Sequence, residues 1–253
     1  MLVHHFRDPR WLVNSYLVAD RSGGSAVLID SGGPLEQILA KCEELQVAPK
    51  YLLNTHRHPD HITHNRQLKE HFALIVAAHR QEAEFIPEHS LMLEHGQQLQ
   101  VGDLSIQCLW VPGHTAGHMA FLINGRAVFT GDVLFAGSVG GTRGSGHTTL
   151  DDLRQSVMDK LMSLPPQTII HPGHMDPTIV DKEWQHNPFI RWWRGLESRT
   201  ERACVAVGQA ATLLLRARDY DGGSKCLVRF ADGSEDLVPG SQVFEAGSGN
   251  SSG

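Results

Sequence analysis

The chain has 253 residues, 22 Lys and Arg against 28 Asp and Glu, a formal net charge of −6 and 41% hydrophobic residues. Those values describe one large α/β domain, or one domain with a small appendage, and argue against a protein that wraps a polynucleotide along a basic stripe. No stretch has the length of a membrane span, Met1–Arg7 lacks the basic and apolar regions of a signal peptide, and Cys42, Cys108, Cys204 and Cys226 form no C-x-x-C pair. The expectation is a cytoplasmic protein with reduced, packed thiols and no membrane partner.

The first two apolar runs, Asn14–Ala19 and Ala26–Asp30, flank Arg21-Ser22-Gly23-Gly24 and predict a hairpin. Ser31-Gly32-Gly33-Pro34 opens a helix from Leu35 to Leu45, apolar at Leu35, Ile38, Leu39 and Cys42. A short strand then runs into His56, followed by a helix over Thr63–His71, a strand over Ala73–Ala77 and a helical piece at Arg80–Phe85. From Gln97 to Val111 the pattern is β, turning at Gly102-Asp103 and ending in Pro112-Gly113-His114-Thr115-Ala116-Gly117-His118. Met119–Ile123 and Ala127–Thr130 predict a second hairpin, closing at Gly131-Asp132. A Gly-rich loop covers Gly137–Gly146, a helix Leu150–Leu164, and a strand leads from Thr168 into His171-Pro172-Gly173-His174.

Chemistry concentrates in Leu53-Asn54-Thr55-His56-Arg57-His58-Pro59-Asp60-His61. Neutral imidazole nitrogens and carboxylate oxygens are the usual ligands of zinc and non-haem iron. Alternate residues of a strand share a face, so His56 and His58 are expected to grip one ion, while Pro59 breaks the strand and turns Asp60 and His61 elsewhere. One segment can thus serve two neighbouring metals, with further ligands supplied by distant segments. A recurring pattern offers them, a strand ending in Gly plus a ligand-type residue at His114, Asp132 and His174. The 16 histidines of the chain fit metal chemistry.

These ordered motifs, with Pro172-Gly173-His174, Ile29-Asp30-Ser31-Gly32-Gly33 and Asn187-Pro188-Phe189, resemble the metallo-β-lactamase fold superfamily and, within it, the glyoxalase-II-like thioester hydrolases. The resemblance covers about residues 1–195 and implies an α/β fold, an αββα sandwich with a dinuclear site on its open edge. Carried over, His56, His58 and His114 hold the first metal, Asp60, His61 and His174 the second, and Asp132 bridges them. The implied cofactors are two divalent ions, zinc first, with iron or manganese as alternatives. The implied reaction is hydrolysis of a small acyl thioester by a metal-bridging hydroxide, which Asp60 orients and whose proton it can carry. Two other members of the fold remain as alternatives, a mononuclear iron persulfide dioxygenase using His56, His114 and Asp132, and a nuclease or phosphodiesterase; no nucleic-acid partner is expected.

His118 and His171 are expected to support ligands, and Asp30 to fix a turn or orient a histidine. The loop position at which glyoxalase II carries a basic substrate-binding residue is Gly141 here, with Arg143 nearby as the substitute. The C-terminal helical substrate domain of that family is not expected here. Ile190–Gly195 predicts a helix end packing its tryptophans on the main domain, and Ala211–Arg218, Cys226–Phe230 and Glu235–Val238 predict strands joined by Gly-rich turns. Residues 200–245 are therefore expected to form a small SH3-like or open-barrel β appendage. Its expected role is stabilising, with a lid, a dimer contact or a partner site as alternatives. Residues 246–253 read as a flexible Gly/Ser tail.

Overall fold

Leu17 and Val18 are neighbours in β2 (Asn14–Ala19), yet they enter different cores. Successive strand residues point to opposite faces, so a strand apolar on both must be covered on both. In the computed structural model, which describes residues 1–197 and 201–245, β2 belongs to a sheet ordered β1 (Leu2–Arg7), β2, β3 (Ala26–Ile29), β4 (Pro49–Leu53), β5 (Ile75–His79), β6 (Leu91–Leu93). The first three strands are antiparallel and the rest parallel. Leu17, Leu28, Leu52 and Val76 face outward onto Ile38 and Cys42 of α1 (Leu35–Leu45) and Leu68 of α3 (Asn65–Phe72), which follows the short α2 (Pro59–Ile62). Helices are the crossovers that parallel neighbours require.

Val18, Val27 and Ile29 face inward, against Ile106, Phe121 and Phe129 of a second six-stranded sheet. That sheet contains β7 (Gln98–Val101), β8 (Leu104–Trp110), β9 (Met119–Ile123) and β10 (Ala127–Gly131). A small hairpin, β11 (Leu134–Phe135) and β12 (Ser138–Val139), branches off before the chain returns as β13 (Ile169–Pro172) and β14 (Thr178–Ile179). The order is β14-β13-β10-β9-β8-β7, with β10 and β13 parallel. Its outer face is covered by α5 (Leu150–Gln155), α6 (Val180–His186) and α7 (Pro188–Trp193), with Leu153, Phe189 and Ile190 fully buried. Four layers result, αββα, as the motifs implied.

The helix expected over Leu150–Leu164 is α-helical only to Gln155 and continues as a π-helical segment through Leu161. Thr149 and Asp152 form its capping box. Within the wider turn Ser156 donates to the Pro112 carbonyl at 2.7 Å and Lys160 to the Trp110 carbonyl at 2.6 Å. Those bonds tie the helix to the loop leading toward His114.

The C-terminal segment forms a five-stranded antiparallel sheet, β15 (Arg202–Ala206), β16 (Gln209–Arg218), β17 (Ser224–Phe230), β18 (Glu235–Pro239) and β19 (Val243–Glu245), ordered β18-β17-β16-β15-β19. Neither β15 nor β19 was expected from sequence; both are short and exposed at alternate residues. Cys204, Leu213, Cys226, Val228 and Val238 make a core of its own. From its other face Leu214, Leu227 and Leu237 enter the outer core of the second sheet beside Phe189, and the partly buried Trp192 and Trp193 pack there too. The module is therefore docked on the sandwich. All four cysteines are buried free thiols, and no helix among the described residues is long and apolar enough to cross a membrane. The tail expected at 246–253 lies outside the described residues.

Candidate metal centre

Strand alternation is not what brings His56 and His58 together. β4 stops at Leu53, and residues 54–58 run as a loop into α2, with Pro59 at its first position. Asp30 fixes this loop, accepting from the Thr55 N–H at 2.8 Å and the Thr55 hydroxyl at 2.7 Å, while the Met119 N–H holds the Thr55 carbonyl. The result is a meeting of unlike ring nitrogens. His56 Nε2 and His114 Nε2 each lie 3.0 Å from His58 Nδ1.

Metal–nitrogen bonds of 2.0–2.1 Å in a tetrahedral site put donors about 3.3 Å apart, so this cluster has the spacing of a ligand set. Its protonation fits as well. Burial holds His56 well below the usual histidine range, aided by His61 and His118. Burial likewise lowers His114 to about 4, against the opposing pull of Asp132. Neutral imidazoles are what a metal binds. The remaining nitrogens are committed to orienting bonds, His114 Nδ1 to the Gly141 carbonyl (2.8 Å) and His58 Nε2 to the Ser145 carbonyl (3.0 Å). Two backbone carbonyls of the Gly-rich loop thus aim two ligands.

Asp60, His61 and His174 form a second donor group, and His56, His61 and Asp132 a third that joins the two. Asp132 Oδ2 lies 3.7 Å from His114 Nε2 and 3.3 Å from His174 Nε2, and Oδ1 lies 3.2 Å from His61 Nε2. Asp60 Oδ2 faces His174 Nε2 at 3.6 Å and His61 Nε2 at 3.8 Å. Buried polar atoms are ordinarily hydrogen-bonded. Yet His61 Nε2 and Asp132 Oδ1 are both fully buried without a hydrogen-bond partner, and a cation between them would satisfy both. The electrostatics point the same way. Burial disfavours charge on His61, but Asp132 and Asp30 outweigh it and raise its pKa. Burial also opposes charge on Asp132, and His174 and His61 overcome it to hold the carboxyl well below its usual range. The pocket is built around an anion that demands positive charge.

Behind these donors stand residues that set ring orientation. His61 Nδ1 donates to Asp30 Oδ2 at 2.8 Å, so Asp30 orients a histidine as expected. His174 Nδ1 bonds the Leu12 carbonyl at 3.0 Å, and the loop carrying it is pinned by the Asn14 side chain and the Tyr16 hydroxyl, both donating to the Pro172 carbonyl. A side chain on Gly173 would collide with the Asp132 carboxylate and the His61 ring, which explains a glycine beside the ligand. His118 accepts the Asp132 N–H at 3.1 Å and stacks on His56, and His171 stacks on Phe129. Neither belongs to the donor groups. Asn187, from the Asn-Pro-Phe motif, caps α7 and donates to the Ser138 carbonyl, holding the hairpin that follows Asp132.

All seven expected ligands converge. Arg143 lines a cavity beside His114, where its guanidinium bonds Asp236 of the C-terminal module at 2.7 Å. Sequence reading missed Tyr220, whose ring lies on His174 with centroids 4.1 Å apart. Its only trace is an aromatic in the Asp219-Tyr220-Asp221-Gly222 turn, and nothing local says where that turn lands.

Known proteins resemble this chain in sequence and in fold. This chain is 33% identical over 189 residues, 66% of its length and 87% of the relative's, to the hydroxyacylglutathione hydrolase GloC of Haemophilus influenzae. It is 32% identical over 169 residues, 65% of its length and 73% of the relative's, to a probable polyketide biosynthesis zinc-dependent hydrolase, BaeB, of Bacillus velezensis. Among solved structures, ETHE1 from Myxococcus xanthus superposes with a TM-score of 0.68 at 31% identity over 75% of this chain and 84% of that one. TTHA1623 in a di-iron-bound form gives 0.62 at 35% identity over 73% and 98%. The family profile of the metallo-beta-lactamase superfamily matches residues 8–174, a span that begins before the opening hairpin and ends on the last expected ligand, His174. With sandwich, donor set and profile in agreement, the chain belongs to the metallo-beta-lactamase superfamily.

Proposed function

We propose that the protein hydrolyses a small acyl thioester at a dinuclear centre. The observation that carries this reading is the placement of Asp132, with one carboxylate oxygen toward His61 and the other toward both His174 and His114. In this reading Asp132 would link the set His56, His58, His114 to the set Asp60, His61, His174. Both sets fit divalent ions, zinc first and iron or manganese as alternatives. Divalent ions held by these residues would supply an acidified water and Lewis-acid polarisation of a carbonyl.

The chain's own residues supply the rest. In this reading Asp60, partly exposed at the edge of the second set, orients the attacking water and takes its proton. The thiolate of a thioester is a good leaving group, so no strong acid is required opposite it. Gly141 and Ser145 hold the rings of His114 and His58 and leave the cleft between loop and module for the substrate. The relatives named for hydroxyacylglutathione hydrolysis and for zinc-dependent hydrolysis support the reaction class.

The test is metal content together with turnover of a panel of acyl thioesters. Two ions per chain and metal-dependent release of thiol are expected. A second reading, a mononuclear iron persulfide dioxygenase, is favoured by the likeness to ETHE1. One iron per chain, with oxygen uptake on a thiol persulfide and no thioester cleavage, would put that reading first.

A further inference from the structure

Beside the metal centre the C-terminal module and the Gly-rich loop form a half-open cavity of about 380 Å³. Its wall includes the ligand His114 and Arg143 on one side and Val207, Lys225, Leu237 and Pro239 of the module on the other. The cavity lies within the size range of small-molecule sites and holds about a dozen non-hydrogen atoms at the volume a water occupies in the liquid.

Its chemistry is apolar despite the two cations. Arg143 is bound to Asp236 at 2.7 Å, and Lys225 is bound to Asp219 at 3.1 Å and donates to the Val139 carbonyl. Each positive charge already has its carboxylate, and Lys225 is buried. Both cations therefore already face a carboxylate, while Val207 and the exposed Pro239 offer hydrocarbon, with Gln242 completing that wall.

Val207 carries an independent mark. With Gly208 it forms the two-residue turn between β15 and β16, and both have positive φ, +47° and +78°. Such turns favour Asn-Gly, and a β-branched residue in this conformation is an outlier. Strain of this kind concentrates at functional sites. Here an unfavourable residue stands where a polar one would fit the backbone better, and it lines the cavity next to a metal ligand.

We propose that this cavity is the acyl-chain subsite, binding an uncharged, medium-length hydrocarbon chain whose carbonyl lies at the metal centre, and that Val207 of the C-terminal module sets its polarity and depth. The proposal rests on the thioesterase reading and narrows it to acyl groups without a terminal charge.

The experiment compares acetyl, butyryl, octanoyl and hexadecanoyl thioesters of N-acetylcysteamine with the metal-loaded full chain. Binding of uncharged octanamide is measured alongside by calorimetry. If the chain is buried, kcat/KM rises about threefold to fourfold per added methylene up to octanoyl, then falls at hexadecanoyl. Val207→Asn and Val207→Gly both suit the left-handed backbone but lose the packing of Val207 on the module's core, and a thermal melt checks that each variant is folded. Val207→Asn is expected to lower the octanoyl-to-acetyl ratio at least tenfold and weaken octanamide binding. Val207→Gly should move the optimum to longer chains. Thioester turnover without chain-length preference and without octanamide binding would overturn the subsite and leave the thioesterase reading standing. Octanamide binding that Val207→Asn weakens, with no thioester cleaved, would uphold the subsite and overturn the thioesterase reading. A chain-length profile and octanamide affinity unchanged in both variants would also overturn the subsite.

Discussion

The ring of Tyr220 lies over the imidazole of His174, centroids 4.1 Å apart and planes inclined by 21°. Tyr220 belongs to the C-terminal module and His174 to the sandwich, so the module contributes to the wall of the metal centre. The contact is seated by Asp219, which bonds Lys225 and the Ser138 hydroxyl, and by Phe135, whose ring lies 5.7 Å from that of Tyr220. Removing the aromatic ring should loosen His174 alone among the ligands. Such pairs contribute about 0.5–1.5 kcal/mol, so Tyr220→Ala is expected to weaken the second ion by roughly 2- to 10-fold. Tyr220→Phe should retain it, and competitive metal titration distinguishes the two.

Asp30 bonds both the His61 ring and the Thr55 backbone that carries His56. Asp30→Ala would free the His61 tautomer and leave the buried Thr55 N–H without a partner, the latter costing about 1–3 kcal/mol. Metal affinity or activity should drop by about 10- to 100-fold, the usual effect of removing a group that orients a ligand. A variant with wild-type metal affinity and melting temperature would show that His61 is held by packing alone.

Asp132→Asn should weaken both ions together, because it removes a full negative charge from between the two donor sets. His174→Ala should release chiefly the second ion, and His56→Ala chiefly the first. Stepwise titration followed by elemental analysis reads the stoichiometry. If Asp132→Asn kept two tightly held ions, the bridging assignment would fail. If wild type held one ion and His174→Ala altered neither affinity nor turnover, the mononuclear reading would replace the dinuclear one.

His171 gives a test that does not depend on turnover. Burial, with a smaller contribution from His5, lowers it to about 4. In the folded chain it therefore stays neutral while the unfolded chain takes up a proton below about 6.5. Its stability contribution is complete above that pH and declines as pH falls toward about 4, by roughly 3 kcal/mol at the limit. His171→Phe keeps a ring against Phe129 and removes the proton site. Melting temperatures of the metal-free chain between pH 7 and pH 4 should fall less steeply in the variant. Parallel slopes would mean that His171 is not held neutral by the fold.

The order of the ligand motifs, His-x-His-x-Asp-His, then His114, Asp132 and His174, is written in the chain itself, because donor chemistry depends on residue type. So is the strand pattern behind it. Leu17, Val18, Val27 and Leu28 are apolar on both faces, and only a sheet covered on both sides tolerates that. Local sequence could not specify how His56 and His58 approach each other. Strand alternation offered a reason, but the loop is set by Asp30, about 25 residues earlier, and by Met119, more than 60 later. The same holds for the Gly-rich loop, whose Gly141 and Ser145 carbonyls act on histidines far away in sequence. Tyr220 and Val207 are the extreme case. Each sits in a hairpin turn whose own sequence specifies only a reversal of the chain. Their positions over His174 and beside His114 follow from where Leu214, Leu227 and Leu237 dock the module on the outer core. Burial of apolar surface is non-directional and acts between segments distant in sequence, so that placement belongs to the tertiary structure alone.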